Sequence, residues 1–230
     1  MNLLATVVGM AACPTEAMES VVERPRSWLL AAALVILGTA ILIAVSAPYQ
    51  VELANERSGQ MIERIAASMP EDKARMVRDA ASEMTVQRYW LTAGLAFLVI
   101  ASLGWVARGA IAHFSSVALG GHSEWGPTFA IGVWAMVPYC VRELLQTAFV
   151  AINGRIPHHA GVAFFVSSGD WITDSRSMLY ALASNIDPFA LWHIVLLGIG
   201  ISVATKVRRT KGVLMAIVIF CVFLGLTLIP

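Results

Sequence analysis

The sequence predicts an all-α integral membrane protein, a five-helix transmembrane bundle with an extracytoplasmic helical hairpin insert. Three observations carry this expectation. Of 230 residues, 58% are hydrophobic and only 13% charged, whereas soluble domains carry about 25% charged residues. Five apolar runs are long enough to cross a hydrocarbon core of about 30 Å. Between the first two lies a polar stretch, 48–88, whose apolar residues recur at helical spacing. Net charge is +1, so no basic field favours nucleic acid. Cys13, Cys140 and Cys221 have no CxxC spacing and read as small apolar residues.

Residues 1–27 form an amphipathic N-terminal segment. Leu3, Leu4, Val7 and Val8 share helical spacing, but the run is too short to span. Pro14 and Glu16 then open a second short helix. Two placements fit: on the cytoplasmic membrane surface, or folded against the bundle. Span one is 28–47, with Arg24 and Arg26 before it and Trp28 at the interface. Val45-Ser46-Ala47 resembles a cleavage site, but Pro48 follows and the run is long, so it is a retained anchor.

Residues 48–88 are the hairpin. Met61, Ile62, Ile65 and Met69 line one face. Ser68-Met69-Pro70-Glu71 is a helix-start signature. Met76, Val77, Ala80 and Met84 continue on a second helix. Met61, Ile65, Met76 and Met84 are its partner-binding candidates, although such stripes also pack helices together. Span two is 89–107, bounded by Tyr89, Trp90 and Arg108. Span three, 128–150, is predicted to kink at Pro138. Residues 151–187 form a second long extracytoplasmic connection, interfacial or buried, with turn signals at Asn153-Gly154 and Gly161 and a short helix near 178–183. Spans four and five are 188–205 and 212–230, joined by the turn 206–211.

Orientation follows from that turn. Lys206, Arg208, Arg209 and Lys211, with no acid among them, mark it as cytoplasmic. Counting back through four spans puts the N-terminus in the cytoplasm and the C-terminus outside. Residues 48–88 then fall outside despite six basic residues, which seven acids offset.

The fourth span and its flanks read Asp187-Pro188-Phe189, Leu191-Trp192, then Leu196-Leu197-Gly198-Ile199-Gly200 and the basic turn. The N-terminus adds Leu3-Leu4, Val7, Gly9, Pro14, Met18 and Glu23-Arg24-Pro25. This pattern resembles the Yip membrane-domain family, the Rab-interacting proteins of secretory membranes and their bacterial relatives. The resemblance implies five membrane helices and the topology that charge counting gives. For bacterial members it implies mostly unassigned function, and for some of them an accessory role beside export-type ABC transporters. The compact N-terminus looks bacterial, which places the chain in a cytoplasmic membrane. The 48–88 insert looks expanded, and Arg142-Glu143 matches no family feature.

Several polar residues are candidate sites. Asp187 is placed to cap span four, with Pro188 in its first turn. Trp192 reads as a packing aromatic and His193 as a hydrogen-bonded residue. Gly198 and Ser202 on span four, and Cys221 and Gly225 on span five, offer faces for close helix approach. Arg142 and Glu143, with Gln146 one turn on, form a possible intramembrane polar site. Ionisable residues inside a span face the bundle or a wet cavity. Adjacent residues point about 100° apart, so these two need not pair. His158, His159 and Asp170 are weak metal candidates whose spacing fits no strong template. No catalytic triad, phosphate loop or paired catalytic carboxylates stand out.

The sequence thus points to a non-enzymatic, cofactor-free membrane protein acting as an accessory or scaffold subunit. Its partners are membrane lipids and other membrane proteins, either transporter subunits or a second copy. A permeation subunit using Arg142 and Glu143 is the alternative. An outer-face metalloenzyme using His158, His159 and Asp170 is a third.

Overall fold

A computed structural model describes residues 3–79 and 82–228. Ala80 lies outside the described residues, as do the last two positions of the fifth span. The helices are α1 (Leu3–Ala12), α2 (Pro14–Glu23), α3 (Trp28–Ala66), α4 (Glu71–Asp79), α5 (Val86–Ala118), α6 (Trp125–Trp134), α7 (Val137–Asn153), α8 (Trp171–Arg176), α9 (Met178–Ser184), α10 (Pro188–Thr205) and α11 (Arg209–Leu226). Among the described residues there is no strand. Among the described residues, five helical units are long and apolar enough to cross a membrane: α3, α5, the α6–α7 pair, α10 and α11.

Helix limits differ from those read in the sequence most at three points. Helix α3 does not stop at Ala47 but continues through Pro48 to Ala66. A single proline removes one N–H from the ladder, and the strong helix formers beyond it keep the helix going. Helix α5 likewise continues past Arg108 to Ala118. A change from apolar to polar residues marks where a chain leaves lipid, not where its helix ends. The third difference is Ser68, whose hydroxyl donates back to the Ile65 carbonyl at 2.7 Å and closes α3 instead of capping α4.

The polar stretch is therefore an arm made of the distal part of α3 and the shorter α4. Arg78 grips Glu63 with two bonds of 3.0 and 3.1 Å. The Asn55 amide clasps the backbone of Met84 in both directions, at 2.7 and 3.1 Å. The arm leans on the 151–187 connection. There the Trp171 indole donates to Gln60 at 2.8 Å, and Arg57 sits 5.3 Å over the Trp171 ring.

Pro138 interrupts the third span at Ala135–Met136, between α6 and α7. The Tyr139 N–H bonds Met136 and bypasses the Ala135 carbonyl. The His193 ring takes up that carbonyl through Nδ1–H at 2.6 Å.

The core lies where α2, α6 and α10 meet. Met18, Val21, Ile131, Trp134, Leu197 and Ile201 are fully buried there. The N-terminal helices thus fold against the bundle, the second of the two predicted placements, and the Trp192 indole donates to the Met10 carbonyl at 3.3 Å. Gly198 and Gly200 point to opposite sides of α10. A Cβ on Gly198 would come within 2.9 Å of the Val213 Cα on α11, and one on Gly200 would collide with Ile131 on α6. The Gly198–Ser202 face meets Gly212 of α11. The Cys221–Gly225 face does not pack against another helix among the described residues, since Cys221 is exposed and Gly225 has open space around it.

The two ends of the bundle are distinct. At one, Lys211 reaches the Leu119 carbonyl, Arg209 reaches Thr15, and the His122 N–H bonds the Thr205 carbonyl. Lys206 adopts a left-handed φ of 57° to turn the chain out of α10. At the other end lie the arm and the 151–187 connection.

Candidate functional site

A cavity of about 320 Å³ opens between α5, α7, α10 and α11. Its apolar wall includes Phe97, Ile100, Phe220 and Phe223, and its polar wall includes Arg108, Tyr139, Arg142, Glu143, Asn185 and His193. The interrupted third span builds much of it. Ending α6 at Trp134 and restarting at Val137 turns Tyr139, Arg142 and Glu143 toward the cavity.

Each ionisable group has its own arrangement. Arg142 donates through Nη1 to Asp187 at 3.0 Å and lies 4.7 Å over the Tyr139 ring. Asp187 uses its other oxygen to accept from the Ala190 N–H at 2.7 Å, the cap of α10. One carboxylate thus holds both the helix start and the Arg142 guanidinium. Glu143 makes no ion pair with Arg142 among the described residues. Its carboxyl meets the Thr39 hydroxyl of α3 at 2.7 Å, beside Gly38. Gln146, the third residue of the proposed polar site, does not line this cavity; it faces a separate pocket with Ser46, Gln50 and His159.

Arg108 is the residue that sequence reasoning missed. Its guanidinium folds back along α5 over Gly104, where a Cβ would come within 2.8 Å of Nη1. It stacks 3.9 Å over the Phe223 ring. Its Nε is buried without a hydrogen-bond partner among the described residues, as is the Nε of Arg142. The available signal was the glycine one turn before the arginine, which clears the surface along which the side chain lies.

The remaining candidates fall elsewhere. His158 and His159 are 6.5 Å apart between ring centroids, and His159 faces the Tyr180 hydroxyl. Asp170 caps α8 through the Thr173 N–H and hydroxyl, and sits 3.8 Å from Arg64. Among the described residues no three His, Cys, Asp or Glu side chains converge on a metal position. On the arm, Met76 and Ile65 are exposed and Met61 and Met84 half-buried.

Asp174 sits in a tight turn of the same connection. It accepts from the Ser167 hydroxyl at 2.5 Å and from the Ser168 N–H and hydroxyl at 2.8 Å. The Ser167 hydrogen bond, with those of Ser168, holds its carboxyl below the ordinary value of 3.8.

A helical bundle with a charged cavity inside five apolar crossings defines a polytopic integral membrane protein. The Yip1 domain family matches residues 8–229, nearly the whole length, and the chain belongs to that family. No curated protein and no solved structure matches it.

Proposed function

We propose that the chain acts without enzymatic chemistry, as an accessory or scaffold subunit that binds other membrane proteins. The projecting arm is the observation that supports this most. It is braced to the body through Trp171–Gln60 and Arg64–Asp170, yet it contributes little to the core. Met76 is 71% exposed, and Ile65 and Met69 are exposed beside it. Flexible, polarizable methionines on a braced element suit a protein contact. The resemblance points to an export-type ABC complex as the partner. The basic turn 206–211 supports an orientation with that turn and the N-terminus on the cytoplasmic side and the arm outside, and the family resemblance supports a bacterial inner membrane as the location.

The test is co-purification after cross-linking in native membranes. The double variant Ile65→Glu, Met76→Glu is expected to reduce recovery of transporter subunits at least five-fold at unchanged expression. Full retention of every partner contradicts the arm as the contact surface. A second reading, a permeation subunit, draws support from Arg142 and Glu143 both lining the cavity.

A further inference from the structure

We infer that the cavity beside Arg108 is a binding site for a single amphiphile with an anionic head, a carboxylate or a phosphate, gripped by that guanidinium. The inference rests on neither functional reading above.

Of the two arginines that line the cavity, Arg108 is the one without a counter-charge among the described residues. Arg142 is neutralised by Asp187, Glu143 is engaged by Thr39, and His193 is bonded to the Ala135 carbonyl. Arg108 makes no ion pair or hydrogen bond through its side chain among the described residues; it has the Phe223 ring and a buried, unpartnered Nε. Phe223 lies about four turns into α11, roughly 20 Å from the basic turn, which is well inside a core of about 30 Å. An uncompensated charge at that depth is costly, and such residues mark ligand or ion sites. A planar guanidinium fork matches carboxylate and phosphate oxygens two at a time.

The surroundings fit the rest of an amphiphile. Phe97 lines both this cavity and an adjoining groove of about 330 Å³ between α3 and α5, whose wall includes Ile36, Ile43, Gly94 and Leu98. That groove is almost wholly apolar and accommodates an acyl chain. Ile100, 69% exposed, stands at the cavity rim, so the cavity reaches the lipid-facing surface between α5 and α11. A lipid-soluble ligand enters sideways without crossing the polar ends of the bundle.

Native mass spectrometry of the full chain in a neutral detergent tests this with four probes: oleate, dioleoylphosphatidate, neutral dioleoylglycerol and inorganic phosphate. The expected result is a single bound oleate or phosphatidate, weakened about ten-fold or more by Arg108→Gln. Dioleoylglycerol and inorganic phosphate are expected to bind at least ten-fold more weakly than the preferred anionic amphiphile. The oleate and phosphatidate arms tell which head is preferred. Ile100→Trp, which narrows the rim without touching the guanidinium, is expected to weaken binding too and serves if Arg108→Gln does not fold. Equal affinity for dioleoylglycerol, tight binding of inorganic phosphate alone, no binding of either anionic amphiphile, or wild-type affinity in the folded variants overturns the assignment.

Discussion

Helices α10 and α5 both cross the bundle, but they are built for different ends. Within its most apolar window α10 is 44% buried and α5 only 11%. Gly198 lets α11 approach almost to backbone contact, and Gly200 on another face makes room for the Ile131 side chain of α6. The polar residues of α10 are each satisfied: Asp187 caps, His193 bonds the freed Ala135 carbonyl, Thr205 bonds within the helix. Helix α5 exposes Leu91, Leu95, Leu103 and Val106 to its surroundings, and it carries the cavity arginine left without a counter-charge among the described residues. The residues of α10 that carry the sequence resemblance thus lie where the bundle is closed. The unsatisfied charge sits where the bundle is open.

Glycine substitutions break this contrast most directly. Gly200→Ala places a methyl group against Ile131 and Met18 and is expected to destabilise by about 2 kcal/mol. Gly94→Ala meets nothing within 4 Å and is expected to change stability by less than about 0.5 kcal/mol. Thermal unfolding in detergent measures both; equal shifts would mean that α10 is packed no more tightly than α5.

A smaller effect belongs to the 151–187 connection, which is neither closed core nor open cavity. Because the Asp174 carboxyl is held below 3.8 in the folded chain, its contribution is fully present above the ordinary value and is lost as pH falls through the lower one. Hydrogen exchange of residues 167–177, corrected for intrinsic rate, is expected to show constant protection above pH 5 and declining protection below pH 4. Protection that rises on acidification would contradict the Ser167–Asp174–Ser168 cluster as the cause.

Much of the architecture was legible in the sequence because membrane spans are a matter of composition and length. The five crossings, the interruption at Pro138 and the Asp187 cap all have local signals. The reach of α3 past Pro48 and of α5 past Arg108 did not, since hydropathy reports the solvent around a helix and not its hydrogen bonding. Arg142 and Glu143 stood out as charges inside a span, but their partners, Asp187 and Thr39, are long-range and only the fold brings them together. Arg108 was read as a charge at a span edge. Its position in the cavity follows from a side chain that folds back over Gly104 and from a helix, α11, that arrives more than a hundred residues later.

The most direct measurement compares two charge removals by thermal unfolding of the delipidated protein. Asp187→Ala removes a helix cap and strands Arg142, and is expected to destabilise by about 3 kcal/mol. Arg108→Met removes a charge that has no partner in the absence of ligand, so stability is expected to stay level or rise. It is also expected to lose the extra stabilisation that wild type gains from added anionic amphiphile. If Arg108→Met destabilises the protein as much as Asp187→Ala does, Arg108 is a structural member of the bundle, and the division between a closed α10 side and an open α5 side does not hold.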